Sequence, residues 1–174
     1  MAHFLRSQGV GTGDHVGLYL YNCNEYLEGM LACFKLRAVP VNVNYRYVEE
    51  ELVYLLKDSA AKAMIYHARF APTLAKILPE LPDLRVLLQV SDESGHALLP
   101  GAVDYESALA SVSAERPAVE WSPDDLYILY TGGTTGMPKG VMWPHKAVFF
   151  AAMGGGGWFH PDGAITDPEQ IAGR

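Results

Sequence analysis

The chain has 174 residues, about half of them apolar, which suits one globular domain or part of a larger one. Thirteen Lys and Arg against 20 Asp and Glu leave a net charge of −7, and that balance argues against a nucleic-acid or membrane-surface role, both of which need a basic footprint. Two cysteines, Cys23 and Cys33, form no CxxC pair and have no histidine cluster beside them in sequence, so buried free thiols are expected rather than a disulfide framework or a zinc site.

In chain order, the first residues read as the tail of a helix, with Phe4, Leu5 and Gln8 on one side and Gly9 as its stop. "GVGTGD" at 9–14 is Gly-rich, but it lies after a helix and before a strand, so it reads as a structural turn. "DHVGLYLYN" predicts a strand ending near Asn22. "NEYLEGMLACFKLRA" predicts a helix whose buried stripe is Leu27, Met30, Leu31 and Phe34, at i, i+3, i+4 and i+7. "VPVNVN" is a short strand. "VEEELVYLLKDS" repeats the helical spacing with Val48, Leu52, Leu55 and Leu56, and Glu49–Glu51 form a solvated first turn that suits the helix dipole. "KAMIYH" is a strand. "RFAPTLAKILPEL" is a helix with Pro72 in its first turn. "LRVLLQV" is a continuous apolar strand of the kind buried on both faces.

Residues 91–123 are less regular, with one short helix near Asp104–Ala110. "DLYILYT" is the next strand, and the odd spacing of Tyr127 and Tyr130 puts them on opposite faces, at least one in the core. A Gly-rich loop, "GVMW" and a helix from about Pro144 to Met153 follow; "GGGG" at 154–157 then reads as a flexible loop. In "ITDPEQIAGR", Asp167 is a helix cap, Pro168 the first helical position and Glu169 a first-turn acid. The uncapped helix at one end and the interrupted one at the other suggest a fragment, with ordinary fraying of termini as the alternative. Strands alternating with helices predict a layered α/β fold, mainly a parallel sheet with flanking helices. No signal peptide or membrane-spanning run is visible, so a cytoplasmic protein is expected.

The densest stretch is Thr131 to Lys139, with three glycines, three threonines and one lysine in nine residues. Phosphate oxygens want converging donors, and glycine amides, threonine hydroxyls and a lysine supply them. A flexible turn is the alternative. GxxxxGK[ST] fails, because Lys139 follows Pro138 and precedes Gly140, and GxGxxG fails on the spacing of Gly132, Gly133 and Gly136. Other residues draw attention with weaker grounds. His145 near a helix start reads as structural first and as a ligand contact second; Tyr45, Arg46 and Tyr47 read as a packed loop first and a cleft rim second.

"ILYTGGTTGMPKG" resembles the phosphate-binding signature of the adenylate-forming superfamily, which includes acyl-CoA synthetases, luciferases and peptide-synthetase adenylation domains; the match is unbroken from Ile128 to Lys139. "GVGTGDHVGLYLYN", the run from Glu25 to Tyr66 and "SPDDLYILYT" are similar to family segments in the same order, least so over Ser91–Ala118. The nearest flavour is that of actinobacterial fatty-acid-type synthetases, including those acting on steroid side chains. The resemblance implies that residues 1–174 form an incomplete N-terminal part of an adenylate-forming large domain, with the C-terminal domain absent. It implies that Thr131, Gly132, Gly133, Thr134, Thr135, Gly136 and Lys139 hold the β- and γ-phosphates of ATP with Mg2+. The family often has serine where this chain has Gly132.

The implied reaction joins a carboxylic acid to ATP as acyl-adenylate and then passes the acyl group to CoA. Nothing in the chain resembles the family's downstream Tyr-Gly-x-Thr-Glu and Thr-Gly-Asp regions or its adenylation lysine, so no catalytic residue is assigned and the piece is expected to be inactive alone. A non-catalytic nucleotide-binding or interaction module, or a decayed remnant of such an enzyme, is the alternative. Self-association through exposed sheet edges is expected of a cut sheet.

Overall fold

A computed structural model describes residues 1–132, 136–157 and 160–173, without the side chains of 168, 172 and 173. Its centre is a seven-stranded sheet in the order β5-β4-β3-β1-β2-β6-β7. The strands are β1 His15–Tyr19, β2 Val39–Asn42, β3 Ala63–His67, β4 Val86–Val90, β5 Ala102–Asp104, β6 Leu126–Thr131 and β7 Lys139–Pro144. All neighbours are parallel except β6 and β7. The mainly parallel sheet with flanking helices is the architecture that the alternating pattern predicts.

Helices α1 Ala2–Ser7, α2 Asn24–Leu36 and α5 Tyr105–Ala110 supply one apolar layer, with Leu5, Cys33, Leu36 and Tyr105 packed on Leu18, Ile65 and Leu88. Helices α3 Glu49–Asp58 and α4 Ala71–Ile77 supply the opposite layer, with Leu52, Leu55, Leu74 and Ile77 around Tyr66, Met64, Ile128 and Tyr130. Strands β3 and β4 are buried along their whole length, as their unbroken apolar runs require. Pro72 lies in the first turn of α4 as expected, where its missing N–H costs nothing. Short 3-10 turns at Ala68–Phe70 and Leu78–Glu80 flank that helix.

The structure corrects several details of the sequence reading. In α2, Leu27 and Leu31 are 55% and 49% exposed, and the buried face is Gly29, Ala32, Cys33 and Leu36. The reason is close approach: a Cβ on Gly29 would lie 2.8 Å from Ile65 Cδ1 and 3.1 Å from Leu18 Cδ2, so this helix packs through its small residues. Gln8 is exposed, although Phe4 and Leu5 beside it are buried. Val48 is the exposed cap of α3 rather than a member of its stripe, while Leu52, Leu55 and Leu56 are buried as expected.

Strand β1 stops at Tyr19, short of Asn22, and β5 lies in a segment that read as irregular. The last helix α6 spans His145–Ala151, and the Asp167 segment is a 3-10 turn, Pro168–Gly173, in which Asp167 Oδ1 accepts from Glu169 N. The four glycines are partly tied down, since Gly155 and Gly156 donate to Phe149 O and Phe150 O. Among the described residues no helix is long and apolar enough to cross a membrane.

Candidate nucleotide-phosphate site

Strand β6 runs parallel to β2, so its carboxyl end opens on the same edge of the sheet as those of β1, β2 and β3, where open α/β sheets bind ligands. Its side chains alternate. Ile128 and Tyr130 face the α3/α4 layer, and Tyr127 faces α2, its hydroxyl 3.5 Å from that of Tyr26 and its ring edge-on to Phe34. The two tyrosines thus lie on opposite faces, as their spacing predicts. The chain turns back after Thr131, and β7 pairs antiparallel with β6 from Thr131↔Lys139 to Leu126↔Pro144. Strands β6 and β7 are therefore the two arms of a β-hairpin.

Thr131 and Lys139 face each other at the neck of that hairpin, both exposed, with Gly132 following and Gly136 at φ +147°, a backbone conformation that favours glycine. Gly133, Thr134 and Thr135 lie outside the described residues. Of the seven residues expected to grip phosphate, the structure brings Thr131, Gly132, Gly136 and Lys139 to one hairpin end.

The base of the hairpin is held rigidly. Tyr130 is 6% exposed and its hydroxyl donates to Asp58 Oδ2 at 2.6 Å; burial, and then this carboxylate, push its pKa well above the ordinary phenol value. Across the ladder, a Cβ on Gly140 would lie 3.0 Å from Tyr130 Cζ and 3.2 Å from Ile128 Cγ2, so the ring lies against a position open only to glycine without a shift. On the other side, Arg37 Nε and Nη2 donate to Asp125 at 2.9–3.1 Å, fixing the entry to β6 against the end of α2. Beside Tyr130, a cleft of about 330 Å³ is lined by Asn22, Tyr26, Asn42, Asn44 and Tyr45.

The other candidates separate. His145 is the first residue of α6, with its amide on Asp125 O and its ring 4.2 Å from that of Phe34. It follows Pro144, five residues along β7 from Lys139, so roughly 17 Å of strand lie between it and the loop. That places it away from Thr131 and Lys139; burial lowers its pKa, and its Nε2 is buried with no hydrogen-bond partner among the described residues. Tyr45 is partly exposed on the cleft rim, whereas Tyr47 is buried, so that triplet divides between both readings.

One cluster escaped the sequence reading because its members are far apart in the chain. The donor atoms of Cys23, Glu25 and His67 lie within 4.8 Å of one another, where the ends of β1 and β3 meet. Tyr21 N–H donates to His67 Nδ1 at 3.1 Å, which puts the proton of the neutral ring on Nε2. In that tautomer neither nitrogen offers a free lone pair to an ion. Burial lowers the His67 pKa and keeps the ring neutral; burial, and then the bond to Glu25, raise that of Cys23.

A family model for AMP-binding enzymes matches residues 1–167. The chain belongs to the AMP-binding enzyme family. It is 57% identical to the medium-chain acyl-CoA ligase Mig of Mycobacterium avium, over 89% of this chain and 30% of that protein. It is 46% identical to the 3-oxocholest-4-en-26-oate–CoA ligase of Rhodococcus rhodochrous, over 99% of this chain and 31% of that protein. Among solved structures it resembles the anthranilate CoA ligase AuaEII in complex with anthranoyl-AMP, with a TM-score of 0.77, 27% identity, and 83% and 27% of the two chains covered. It also resembles a Mycobacterium tuberculosis fatty acyl CoA synthetase, with a TM-score of 0.69, 32% identity, and 84% and 27% covered. The chain thus spans about 30% of the length of the curated relatives it matches.

Proposed function

We propose that this chain supplies the outer-phosphate grip of an ATP-dependent acyl-CoA ligase, as part of the large AMP-binding domain. Thr131, Gly132, Gly133, Thr134, Thr135, Gly136 and Lys139 are the gripping residues, through amides, hydroxyls and one ammonium. The observation that carries the reading is the hairpin neck, where Lys139 and Thr131 face each other, exposed, on the ligand-binding edge of the sheet. These groups fit a polyphosphate. Residues 131–139 contain no carboxylate, so magnesium would be held through the phosphate oxygens rather than by this loop. Bound there, the ion would neutralise phosphate charge.

In the whole enzyme a carboxylate attacks the α-phosphate of ATP to give acyl-adenylate and pyrophosphate, and the thiolate of CoA then displaces AMP. The names of the relatives favour medium-chain, long-chain or steroid-side-chain acids as the substrate class. The 174 residues alone bind phosphate without forming thioester, because a phosphate grip cannot place a carboxylate in line. Two measurements test this. Lys139→Ala should weaken Mg–ATP binding measured by calorimetry, and equal affinity would remove the grip. Incubation with ATP, Mg2+, CoA and a fatty-acid panel should give no acyl-CoA above background; product would overturn the inactivity.

A further inference from the structure

Buried tyrosine hydroxyls in this molecule are paired: Tyr19 donates to Tyr47 O, Tyr66 to Gln89 Oε1, Tyr105 to Glu28 Oε2 and Tyr130 to Asp58 Oδ2. Tyr47 differs. Its side chain is in the core, it is 9% exposed, and its hydroxyl is sealed from solvent with no hydrogen-bond partner among the described residues. A buried donor without an acceptor is unfavourable, so a native one calls for an explanation. The backbone that carries the ring is held on both sides. Tyr47 N donates to Asn44 O at 3.0 Å, and its carbonyl accepts from Tyr19 Oη at 3.3 Å.

The hydroxyl lies beside the start of the Gly-rich loop. Among the described residues, a Cβ built on Gly132 would have one neighbour within 4 Å, the Tyr47 hydroxyl at 3.9 Å. In a trans peptide the C=O of one residue points opposite to the N–H of the next, so an amide aimed at an anion turns the carbonyl of its peptide unit away from it. A donor beneath the loop is what such a carbonyl needs.

We propose that Tyr47 is a positioning residue for the phosphate loop: its buried hydroxyl donates to the loop backbone at Gly132 and holds the loop in its phosphate-binding conformation. This rests on the phosphate reading of residues 131–139. The hydroxyl touches no reacting atom; it acts through the loop. Its cost is borne in the free protein and is recovered when ATP is held.

The test compares the 174-residue chain with Tyr47→Phe, which keeps the ring and removes only the hydroxyl. Calorimetric titration with Mg–ATP should show roughly tenfold weaker binding, as for loss of one hydrogen bond. Without ATP, the variant should melt at the same temperature as wild type or higher, since an unsatisfied group has been removed. Wild-type binding with no change in Tyr47→Phe overturns the positioning role and leaves the phosphate reading standing. No binding by wild type overturns both. A lower melting temperature with unchanged affinity assigns Tyr47 to packing alone.

A second variant probes the geometry directly. Gly132→Ser adds a hydroxyl one bond beyond a Cβ at 3.9 Å, which brings it within hydrogen-bond reach of Tyr47. It should raise the melting temperature by about 2–4 °C in the Tyr47 background and not at all with Tyr47→Phe. An equal rise in both, or none in either, overturns the placement of the hydroxyl under Gly132.

Discussion

Gly140→Ala tests whether the hairpin is set by the packing beneath it. The added methyl would meet Tyr130 Cζ at 3.0 Å, Cε2 at 3.1 Å and Ile128 Cγ2 at 3.2 Å, each a few tenths of an ångström too close. A loose ring would swing aside at little cost. Tyr130 cannot, because its hydroxyl is tied to Asp58 Oδ2 at 2.6 Å and its ring is buried among Ile128 and the α3 leucines. The methyl must therefore shift the ladder or break the tether, at about 1–3 kcal/mol for overpacking at a confined site. For a chain of this size that is a fall of roughly 2–12 °C in melting temperature. Thermal melts and urea unfolding of wild type, Gly140→Ala, Tyr130→Phe and the double variant form a cycle. With the tether gone the ring can move, so Gly140→Ala should cost less in the Tyr130→Phe background. Melting within about 1 °C of wild type, or the same cost in both backgrounds, would refute the reasoning.

Other consequences follow from the packing and the charges. Gly29→Ala should destabilise by about 1–3 kcal/mol by pressing on Ile65 Cδ1, and Ile65→Val, which removes that atom, should restore part of the loss in urea titrations. His67 and His145 both have folded pKa values lowered by burial below the ordinary imidazole value. The unfolded chain then takes up protons that the folded chain refuses, so their share of stability is present above about pH 6.5 and is lost as the pH falls below it. Melting temperature against pH should drop over that window, and less steeply in His67→Asn and His145→Asn, whereas an unchanged slope would exclude these two groups. Strand β7 is a sheet edge whose Val141, Met142 and Trp143 are exposed, so sedimentation should show concentration-dependent association that Met142→Lys weakens.

Periodicity served well where one face is buried by bulk and poorly where it is buried by fit. The α3 leucines and the β4 run are large and regular, and both elements form as their spacing predicts. In α2 the larger apolar residues are the wrong guide, because Gly29, Ala32 and Cys33 let the helix sit close to the sheet. No hydrophobicity pattern marks small residues as a contact face. Likewise Cys23, Glu25 and His67 meet only because β1 and β3 are neighbours, a pairing that skips β2 in sequence. Tyr47 was visible as a candidate, but its special property is a missing partner, which belongs to three-dimensional surroundings and not to a residue type. The loop residues were visible as a candidate site because their chemistry is local: donors gathered in nine consecutive positions.

If residues 131–139 grip phosphate as proposed, the hairpin also explains why the two common nucleotide-loop spacings do not occur here. Both of those loops lead from a strand into a helix, and part of their hold on phosphate is the amide end and dipole of that helix. In this chain β6 is followed by an antiparallel strand, and the next helix, α6, begins at His145 at the far end of β7. A loop without a helix behind it has no dipole to offer, so its donors must be side chains and its own turn amides. Under the proposed phosphate reading, that requirement accounts for the threonines and for Lys139 at the neck rather than in a following helix. It also removes the stiffness that a helix start gives to its own first turn. Under that reading the stiffness comes from below, from Tyr130 against Gly140 and, as proposed, from Tyr47 beneath Gly132. A grip built this way should fail through its base as readily as through its tip, so Gly140→Ala and Tyr47→Phe should each weaken Mg–ATP binding without removing a single phosphate donor.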